Sequence, residues 1–589
     1  MRWVHRLVRE LPIESGTQSP RQVSGAIFSK VEPIPLDNPR LVAWSPRALA
    51  ALGWDHMDLA QLTKWLSGTE APPGTQPLAH CYAGHQFGAF AGQLGDGAAM
   101  LLGEVEAAEG KILEVQLKGA GKTPYSRSAD GRKVLRSSLR EFLCSEFMYF
   151  LGIPTTRAAM LVTSDTRIAR DPVYTGNIVM ERASVVTRVA ESFFRFGSFE
   201  IFNDVDSRTG MRGPSFGIEH LPLMERLLDF IIKHYYAQLI PKDSVVSDPS
   251  VRLAWFEQVV RRTAKLVAQW QCVGFTHGVL NTDNLSILGL TIDYGPYGFQ
   301  DYFDWNFVPN GSDEQGRYSY KNQPAVCKWN CGKLADALEP IIDRFEAEKI
   351  LDRYDVWFKE EYMSIMREKL GLFDALPDDE KLVQSLFDTM DKTGCDFTRT
   401  FLSLSDLSGV LEDDAKLMSS NCCDIATYVQ RFRPKIPRAQ LHMILKMKQE
   451  QPLVFASFGV ETIEFINTEI AKLEILQHTS EWSDAEKRDN DQKLWKQWFE
   501  AYHARLSKDC GSEDMKRRKE IMASRNPKFV LRNWIAQELI ELADAGKYES
   551  VQEFVSLIEN PFADLTKIPS KYVQLPPEWA SKLCVTCSS

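Results

Sequence analysis

The segment 277–303, which reads HGVLNTDNLSILGLTIDYGPYGFQDYF, most constrains what this chain can fold into. Asn284 and Asp293 stand nine residues apart and flank the apolar stretch 285–292, so a short hairpin would bring their side chains together. An amide oxygen and a carboxylate are ligands that Mg²⁺ accepts, with waters and phosphates completing its octahedron. Protein kinases hold Mg²⁺ against ATP with such an Asn and Asp. The segment therefore predicts an ATP site that uses Mg²⁺ or Mn²⁺.

The match to a kinase catalytic loop breaks at one position. The kinase loop H-R-D-L-x-x-x-N uses its Asp as the catalytic base, and Val279 occupies that position here. Because valine cannot accept a proton, ordinary kinase chemistry is not expected. Asp283, directly before Asn284, is the nearest replacement. Since Asn, Thr and Asp all favour turns, a polar turn with no catalytic role is the alternative.

A glycine-rich loop and a strand lysine precede this segment in the chain. Gly95 and Gly97 come before a predicted strand at 98–105, and residues 111–118 alternate polar and apolar side chains as a second strand. This second strand ends at Lys118. Kinases cover the ATP phosphates with a glycine-rich loop and hold them with a strand lysine. A hairpin turn with an edge lysine would give the same pattern, because glycine loops alone are weak signals.

The next predicted helix offers a partner for that lysine. Apolar residues recur with the helical period over 133–151. A kinase needs a helix Glu to orient its strand Lys, and Glu141 follows Lys118 at a workable separation. Glu146 on the same helix is the rival for this role.

Two arginines in the segment 173–202 are candidate phosphate ligands. Arg188 and Arg195 stand seven residues apart, about two helical turns, so a helix would place both on one side. Their forked donors suit a polyphosphate. Structural ion pairs with Glu191 and Glu200 are the alternative.

Composition narrows the class of protein. A chain of 589 residues exceeds one ordinary core, so two or more packed units are expected. A net charge of −10 argues against general nucleic-acid binding, and no apolar run has the roughly 18–20 residues of a membrane span. The eleven scattered cysteines indicate a reducing compartment rather than a disulfide framework. We expect the Arg-bearing N-terminus to form the first helix or strand, and the charged stretch 484–506 to be a solvated surface helix.

The chain ends with a C-x-x-C pair, Cys584 and Cys587. Such a pair can be a redox couple or half of a zinc site. No second C-x-x-C and no nearby His pair completes a zinc site, so a thiol couple that reaches a redox partner is the functional interpretation. A chance pair is the alternative.

Several long strings, taken together, resemble one known family. The strings are YAGHQFG at 82–88, GQLGDG at 92–97, LKGAG at 117–121, PYSR at 124–127, LRSSLREFL at 135–143, RFGSFE at 195–200, GVLNTDN with LTIDYGP at 278–296, and NPKFVLRNWIAQE at 526–538. They span nearly the whole chain and resemble the selenoprotein O family, also called the YdiU family. The terminal pair looks like the C-x-x-U tail of eukaryotic members, with Cys587 where selenocysteine stands; either this species uses cysteine there, or the codon was replaced for expression.

The resemblance implies an α+β, protein-kinase-like fold with two lobes, an N-terminal extension and a helical C-terminal region. It implies that ATP binds in a flipped orientation and that AMP is transferred to Ser, Thr or Tyr hydroxyls of proteins, with release of pyrophosphate. The family's residues carry over as a Lys118–Glu141 pair, a nucleotide site at Gly95, Gly97, Asp130 and Gly131, phosphate contacts from Arg188 and Arg195, metal ligands Asn284 and Asp293, and Asp283 as proton acceptor. One departure is Ala98, where many bacterial members have Arg. That departure removes one possible nucleotide contact.

The resemblance also implies a mitochondrial location, with a cytoplasmic one as the alternative. From the net charge we expect no nucleic-acid partner. The segments are interpreted as an N-terminal extension at 1–79, an N-lobe at 80–202, a helical C-lobe with the metal site at 203–480, and a C-terminal region with the C-x-x-C tail at 481–589. Two other functions stay open: phosphotransfer by a degenerate kinase, and an ATP-binding scaffold with redox contacts through its tail.

Overall fold

The computed structural model describes residues 2–172, 174–509 and 514–586, and these form a mixed α+β structure. The strands are β1 (Ile13–Glu14), β2 (Phe28–Lys30), β3 (Arg40–Trp44), β4 (Leu78–His80), β5 (Ala83–Gln86), β6 (Ala89–Gln93), β7 (Ala99–Glu106), β8 (Ile112–Lys118), β9 (Lys133–Val134), β10 (Arg157–Arg170), β11 (Val179–Ala190), β12 (Phe275–Thr276) and β13 (Gly298–Phe299). The two strands predicted around the glycine loop are thus confirmed as β7 and β8.

One nine-stranded sheet organises the first part of the chain. Its order is β1-β2-β4-β7-β8-β11-β10-β3, and β9 also pairs with β11. Three strands from residues 1–79 lie within this sheet, so that segment is built into the sheet as well as packed on the core. The β5–β6 hairpin stands apart as a small sheet of its own.

Helices fill much of the remaining described chain. They are α1 (Arg6–Glu10), α2 (Pro46–Ala51), α3 (Leu59–Leu66), α4 (Leu135–Phe150), α5 (Gly197–Glu200), α6 (Leu221–Tyr235), α7 (Pro249–Cys272), α8 (Gln323–Leu338), α9 (Arg344–Leu351), α10 (Tyr354–Lys369), α11 (Asp379–Thr393), α12 (Phe397–Ser403), α13 (Leu411–Ser419), α14 (Ile425–Arg431), α15 (Arg438–Glu450), α16 (Pro452–Ala456), α17 (Val460–Thr479), α18 (Asp484–Leu506), α19 (Asp514–Arg525), α20 (Asn533–Asp544) and α21 (Tyr548–Ile558). No helix among the described residues is both long and apolar enough to cross a bilayer.

Three groups of buried apolar residues hold these elements together. The largest joins the nine-stranded sheet to α4, α6, α7, α8, α20 and α21. A second is formed mainly by α10–α13 and α18. A third, much smaller group is confined to α15, α16, α17 and their neighbours.

Two sequence predictions of helix environment are wrong. Arg188 lies on strand β11 and Arg195 in the turn after it, so no helix carries the two arginines. The helix predicted at 484–506 is present as α18, but it is not only a solvated surface element, because Trp495, Trp498 and Phe499 are buried in the second core. Its charges are partly internal as well: Lys487 and Asp491 are both buried and pair at 2.6 Å.

Candidate active site

Four charged side chains meet where strand β8, strand β11, helix α4 and the 285–292 hairpin come together. Lys118 Nζ lies 2.8 Å from Glu141 Oε2 and also contacts Asp293 Oδ1. Arg188 Nη1 lies 3.1 Å from Glu141 Oε1 and 3.3 Å from Asp293 Oδ1. The structure thus brings together four residues that the sequence had singled out separately. We call them the inner cluster.

Sheet register explains why the two cations of the inner cluster face the same way. Arg188 is directly opposite Gln116, and Lys118 is opposite Val186. Side chains two residues apart on a strand share a face, so Gln116, Lys118 and Arg188 all project from one side of the sheet. Helix α4 crosses that side and supplies Glu141.

Asp96 and Gln116 extend this network and were not chosen from the sequence. Gln116 Oε1 accepts a 2.9 Å bond from Arg188 Nε, and Gln116 Nε2 donates to Asp96 Oδ2 at 3.0 Å. Burial raises the pKa of Asp96, partly offset by Arg195 and Arg188. The signal was available, because strand alternation puts Gln116 on the face of Lys118.

The hairpin that carries Asp293 is held by short-range contacts. Leu285 and Thr291 form an antiparallel bridge, which sets Asp293 across from residues 283 and 284. His277 Nε2 donates to Ile292 O at 2.9 Å, and burial lowers the pKa of this imidazole. Asp293 itself has φ of 64°, a left-handed conformation that is uncommon outside glycine.

The charge state of Asp293 follows from its neighbours. Burial raises the pKa of its carboxyl, but Lys118, Arg188 and Arg195 together outweigh burial and hold the pKa well below its usual value. These three cations therefore favour the carboxylate form of Asp293.

Asp283 has the opposite environment. Burial raises the pKa of its carboxyl, Arg195 opposes this and Asp293 adds to it, so that the pKa reaches about 7. Its Oδ1 is buried with no hydrogen-bond partner among the described residues, and Oδ2 faces Gln86 Nε2 at 3.4 Å. Such a carboxyl titrates near neutral pH and can exchange a proton with a bound hydroxyl.

Two glycines make room for Asp283. A Cβ on Gly84 of strand β5 would lie 2.9 Å from Asp283 Oδ1, and a Cβ on Gly197 would lie 2.2 Å from Ala83 O and 3.3 Å from Asp283 Cα. Both glycines belong to strings, YAGHQFG and RFGSFE, that carry the family resemblance. Their physical role is close packing around the acid.

Arg195 differs from Arg188 in having no carboxylate within ion-pair distance among the described residues. It is 1% exposed, its Nη1 donates to Asp283 O at 2.8 Å, and its guanidinium stacks 4.4 Å from the Tyr82 ring centroid. A buried cation that is only partly neutralised attracts an anion. The alternative interpretation, ion pairs with acids such as Glu191 and Glu200, does not hold for these two acids, since Glu191 is exposed and Glu200 contacts His85 and Thr282. Arg188 forms its ion pairs with Glu141 and Asp293 instead.

The residues present fit a Mg²⁺ ion. Asn284 Nδ2 donates to Val279 O at 3.0 Å, which leaves Asn284 Oδ1 buried and without a partner in the described part of the chain. Asp293 supplies a carboxylate from the facing side of the hairpin. Two protein oxygens completed by phosphates and waters are a usual Mg²⁺ set. No group of three His, Cys, Asp or Glu side chains suited to a metal occurs among the described residues.

Lys133 is a further cation at the site that sequence reasoning missed. It pairs with Ser184 of β11, two residues from Val186, the partner of Lys118. The two lysines therefore share one face of the sheet. Burial and the charge of Lys118 lower the pKa of Lys133 to about 8. Only the pairing of a two-residue strand reveals this position, so the local sequence gave no signal.

The glycine loop packs on the loop that follows β8. A Cβ on Gly95 would lie 2.4 Å from Tyr125 Cγ, and one on Gly97 would lie 2.8 Å from Tyr125 O. Gly131 has φ of 71°, and its O accepts from Gly121 N at 3.1 Å. Asp130 pairs with Arg170 at 2.7 Å, outside the inner cluster.

The rival glutamate has a structural role. Glu146 is fully buried and pairs with Arg157 at 2.6 Å. It also accepts from Ser45 Oγ at 2.6 Å and from Ala158 N at 2.9 Å. None of these partners belongs to the inner cluster, so Glu141 alone pairs with Lys118.

Of the two tail cysteines, Cys584 lies within the described residues. Cys584 is exposed and lies near Gly311, whose N donates to Val585 O at 2.8 Å. Cys587 lies outside the described residues. The thiol couple stays a prediction.

Comparison with known proteins gives consistent matches. A family model described as "Protein adenylyltransferase SelO" matches residues 19–560. A mouse protein named "Protein adenylyltransferase SelO, mitochondrial" is 45% identical over 100% of this chain and 93% of its own length, and a human protein of the same name is 46% identical with the same coverage. "Protein nucleotidyltransferase YdiU" of Aromatoleum aromaticum is 38% identical over 99% of both chains.

Proposed function

Because the chain belongs to the SelO family of protein adenylyltransferases, we propose that it transfers AMP from ATP to protein hydroxyls of Ser, Thr or Tyr and releases pyrophosphate. The observation that carries this proposal is the division of the site. Val279 stands where a kinase has its base, while Lys118, Glu141, Arg188 and Asp293 are assembled in the manner of a phosphate site. We infer that the site keeps groups suited to holding phosphates and has no base at the kinase position.

We infer a protein-kinase-like, two-lobed arrangement for this site. In support, a strand lysine pairs with a helix glutamate, and an Asn and an Asp flank a tight hairpin after helix α7. The glycines at 95, 97 and 131 and Asp130 are proposed to line the nucleotide. Their close packing on residues 121–126 would keep the loop backbone open to phosphate oxygens.

Asn284 and Asp293 are the proposed ligands of a Mg²⁺ or Mn²⁺ ion. When bound, such an ion neutralises charge on the phosphate oxygens and orients them. In the protein alone, Lys118 and Arg188 occupy Asp293 Oδ1, so we propose that nucleotide binding redistributes these two cations toward the phosphates.

The chain's own cations would stabilise the leaving group. Lys118, Arg188 and Arg195 all act on the carboxylate of Asp293, and Lys133 lies on the same sheet face as Lys118. We propose that these four cations hold the β- and γ-phosphates within the site. As the hydroxyl oxygen forms a bond to the α-phosphorus, the bond between the α-phosphorus and the oxygen that bridges to the β-phosphorus breaks. Negative charge then grows on the departing pyrophosphate. Fixed positive groups aimed at developing charge lower the barrier.

Asp283 is proposed to accept the proton of the attacking hydroxyl. Its pKa of about 7 suits a base that works near neutral pH. Because Oδ1 is enclosed against Gly84, Oδ2 is the oxygen proposed to take the proton. The mouse, human and zebrafish relatives are named mitochondrial, and the same location is proposed here.

The proposal is tested with ATP labelled at the α- or the γ-phosphate. We expect label from the α position to enter acceptor protein, and label from the γ position to leave as pyrophosphate. Transfer of γ label would restore the degenerate-kinase alternative. Binding of ATP with transfer of neither label would favour the scaffold alternative.

A further inference from the structure

A cleft of about 300 Å³ opens between the segment 306–329 and helix α17. Trp329 and Phe465, both half-buried, line it from opposite sides. Its charged lining includes four cations and two acids: Arg317, Lys321, Lys435, Lys472, Glu464 and Glu469. None of these residues belongs to the site described above.

The β5–β6 hairpin contacts both Asp283 and a residue of the cleft lining. Gln86 Nε2 lies 3.4 Å from Asp283 Oδ2, and the N of the next residue, Phe87, donates to Tyr318 OH at 2.8 Å. Both sequence neighbours of Tyr318, Arg317 and Ser319, line the cleft. A Cβ on Gly88 would lie 3.1 Å from the Arg317 guanidinium, which is part of the lining. The tip of the β5–β6 hairpin thus links the surroundings of the acid to the lining of the cleft.

The outer wall of the cleft belongs to a small unit with its own core. Helices α15, α16 and α17 pack around five buried residues: Leu441, Phe455, Ile466, Ile470 and Leu473. Across the cleft, Lys321 Nζ and Glu464 Oε1 lie 3.2 Å apart. A wall that is held partly by an exposed ion pair can yield to a bound chain, because such pairs contribute only about 0–1 kcal/mol.

The sequence at this wall is strongly basic within an acidic protein. Residues 431–448, RFRPKIPRAQLHMILKMK, contain Lys and Arg but no Asp or Glu, although the whole chain carries −10. Lys435 is exposed at the cleft and has no carboxylate in ion-pair range among the described residues. Glu469 is neutralised already, since Lys472 lies 2.6 Å from it and Lys435 N donates to it.

We propose that this cleft binds an acidic segment of the protein substrate, next to the acceptor hydroxyl that Asp283 serves. The proposal rests on the proposed function, because a protein acceptor must lie across the surface beside Asp283. Cations at the rim select acidic side chains through complementary charge, and Trp329 and Phe465 offer apolar surface to the intervening residues. A peptide, with both features, fits this lining better than a simple anion does.

The test uses fluorescent peptides that share one Ser and differ in having Glu-rich, Gln-rich or Lys-rich flanks. Binding to the full chain is followed by anisotropy, and AMP transfer to the same peptides is measured separately. Lys435→Glu is compared with Lys381→Glu, an exposed lysine on α11 that does not line the cleft. We expect wild type to bind the Glu-rich peptide at least about fivefold more tightly than the Gln-rich one. Lys435→Glu should remove this preference and Lys381→Glu should keep it.

Equal binding of the Glu-rich and Gln-rich peptides by wild type would overturn the proposal. An equal loss of the preference for the Glu-rich peptide in Lys435→Glu and Lys381→Glu would also overturn it. Inorganic polyphosphate or anionic vesicles that bind with the same dependence on Lys435 would instead make the cleft a general polyanion site. The two readouts separate the claims. A binding preference without AMP transfer contradicts the proposed function alone, whereas AMP transfer without a preference contradicts the cleft alone.

Discussion

Asp293 and Asp283 stand across one hairpin, yet their surroundings give them opposite properties. Burial raises the pKa of both carboxyls. At Asp293, two cations in direct contact and a third nearby reverse this shift. At Asp283, Arg195 donates to the backbone oxygen and not to the carboxylate, so its charge offsets burial only in part. The number of adjacent cations, and not burial, therefore divides the site into a phosphate side and an acceptor side.

Removing the carboxylate on the phosphate side should have the largest effect. Asp293→Asn deletes a proposed metal ligand and the counter-ion of Lys118 and Arg188, so we expect AMP transfer to fall by about 10³-fold. Initial rates at saturating ATP and Mg²⁺ measure this. Glu146→Gln is the control, because it breaks a buried ion pair with Arg157 outside the site. It should lower the melting temperature, at a cost of about 3–5 kcal/mol, and leave kcat unchanged. Wild-type rates in Asp293→Asn would refute the assignment.

Removing the carboxylate on the acceptor side should lower the rate of AMP transfer by about 10²–10³-fold and change the pH dependence of that rate. A base must be deprotonated, so wild-type kcat/KM should rise with pH and level off above about 7. Asp283→Asn should lack this rise. If the variant retains the wild-type pH profile, another group is the base.

The same substitution should stabilise the protein at alkaline pH. The folded-state pKa of Asp283, about 7, exceeds the ordinary value of 3.8, so the folded state binds the proton more tightly than the unfolded state does, and wild-type stability falls between about pH 4 and 7. In denaturant unfolding, Asp283→Asn should be more stable than wild type by about 2–4 kcal/mol at pH 8 and by much less at pH 4.

Crowding Asp283 without changing its chemistry is a finer test. The added methyl of Gly84→Ala would press on Asp283 Oδ1, so we expect about a tenfold lower kcat with ATP binding retained. Gly332→Ala on helix α8 is the matched control, because its Cβ meets nothing within 4 Å. Equal kcat in the two variants would show that Asp283 tolerates displacement.

The smallest expected effect concerns Lys133. Lys133→Met should raise KM for ATP about five- to tenfold, and Lys133→Arg should restore most of the loss, because only charge is required. Lys122→Met, at an exposed lysine, is the control. In wild type, KM should rise as pH increases through about 8, where free Lys133 loses its proton. An unchanged KM in Lys133→Met would remove this lysine from the phosphate side.

Local patterns in the sequence were sufficient for part of the site. Alternation along β8 identified the face of Lys118, helical periodicity identified α4 with Glu141, and an apolar hairpin linked Asn284 to Asp293. Each of these inferences depends on neighbours within a few residues along the chain. The α+β class was implied by the family resemblance.

Other features depend on contacts that the local sequence does not encode. A spacing of seven fits a helix, but also fits Arg188 at the end of a strand and Arg195 in the turn after it. The polar residues of α18 indicated a surface helix, yet Lys487 and Asp491 neutralise one another inside the core. The pKa of Asp283 and the position of Lys133 arise from packing and strand pairing between distant segments.

The central claim is that the inner cluster retains pyrophosphate while AMP leaves with the acceptor. Intact mass of the enzyme and of an acceptor protein, measured after incubation with ATP and Mg²⁺, tests it most directly. We predict a gain of one AMP unit on the modified protein, with pyrophosphate released. A gain of one phosphate unit, with ADP released, would contradict the account.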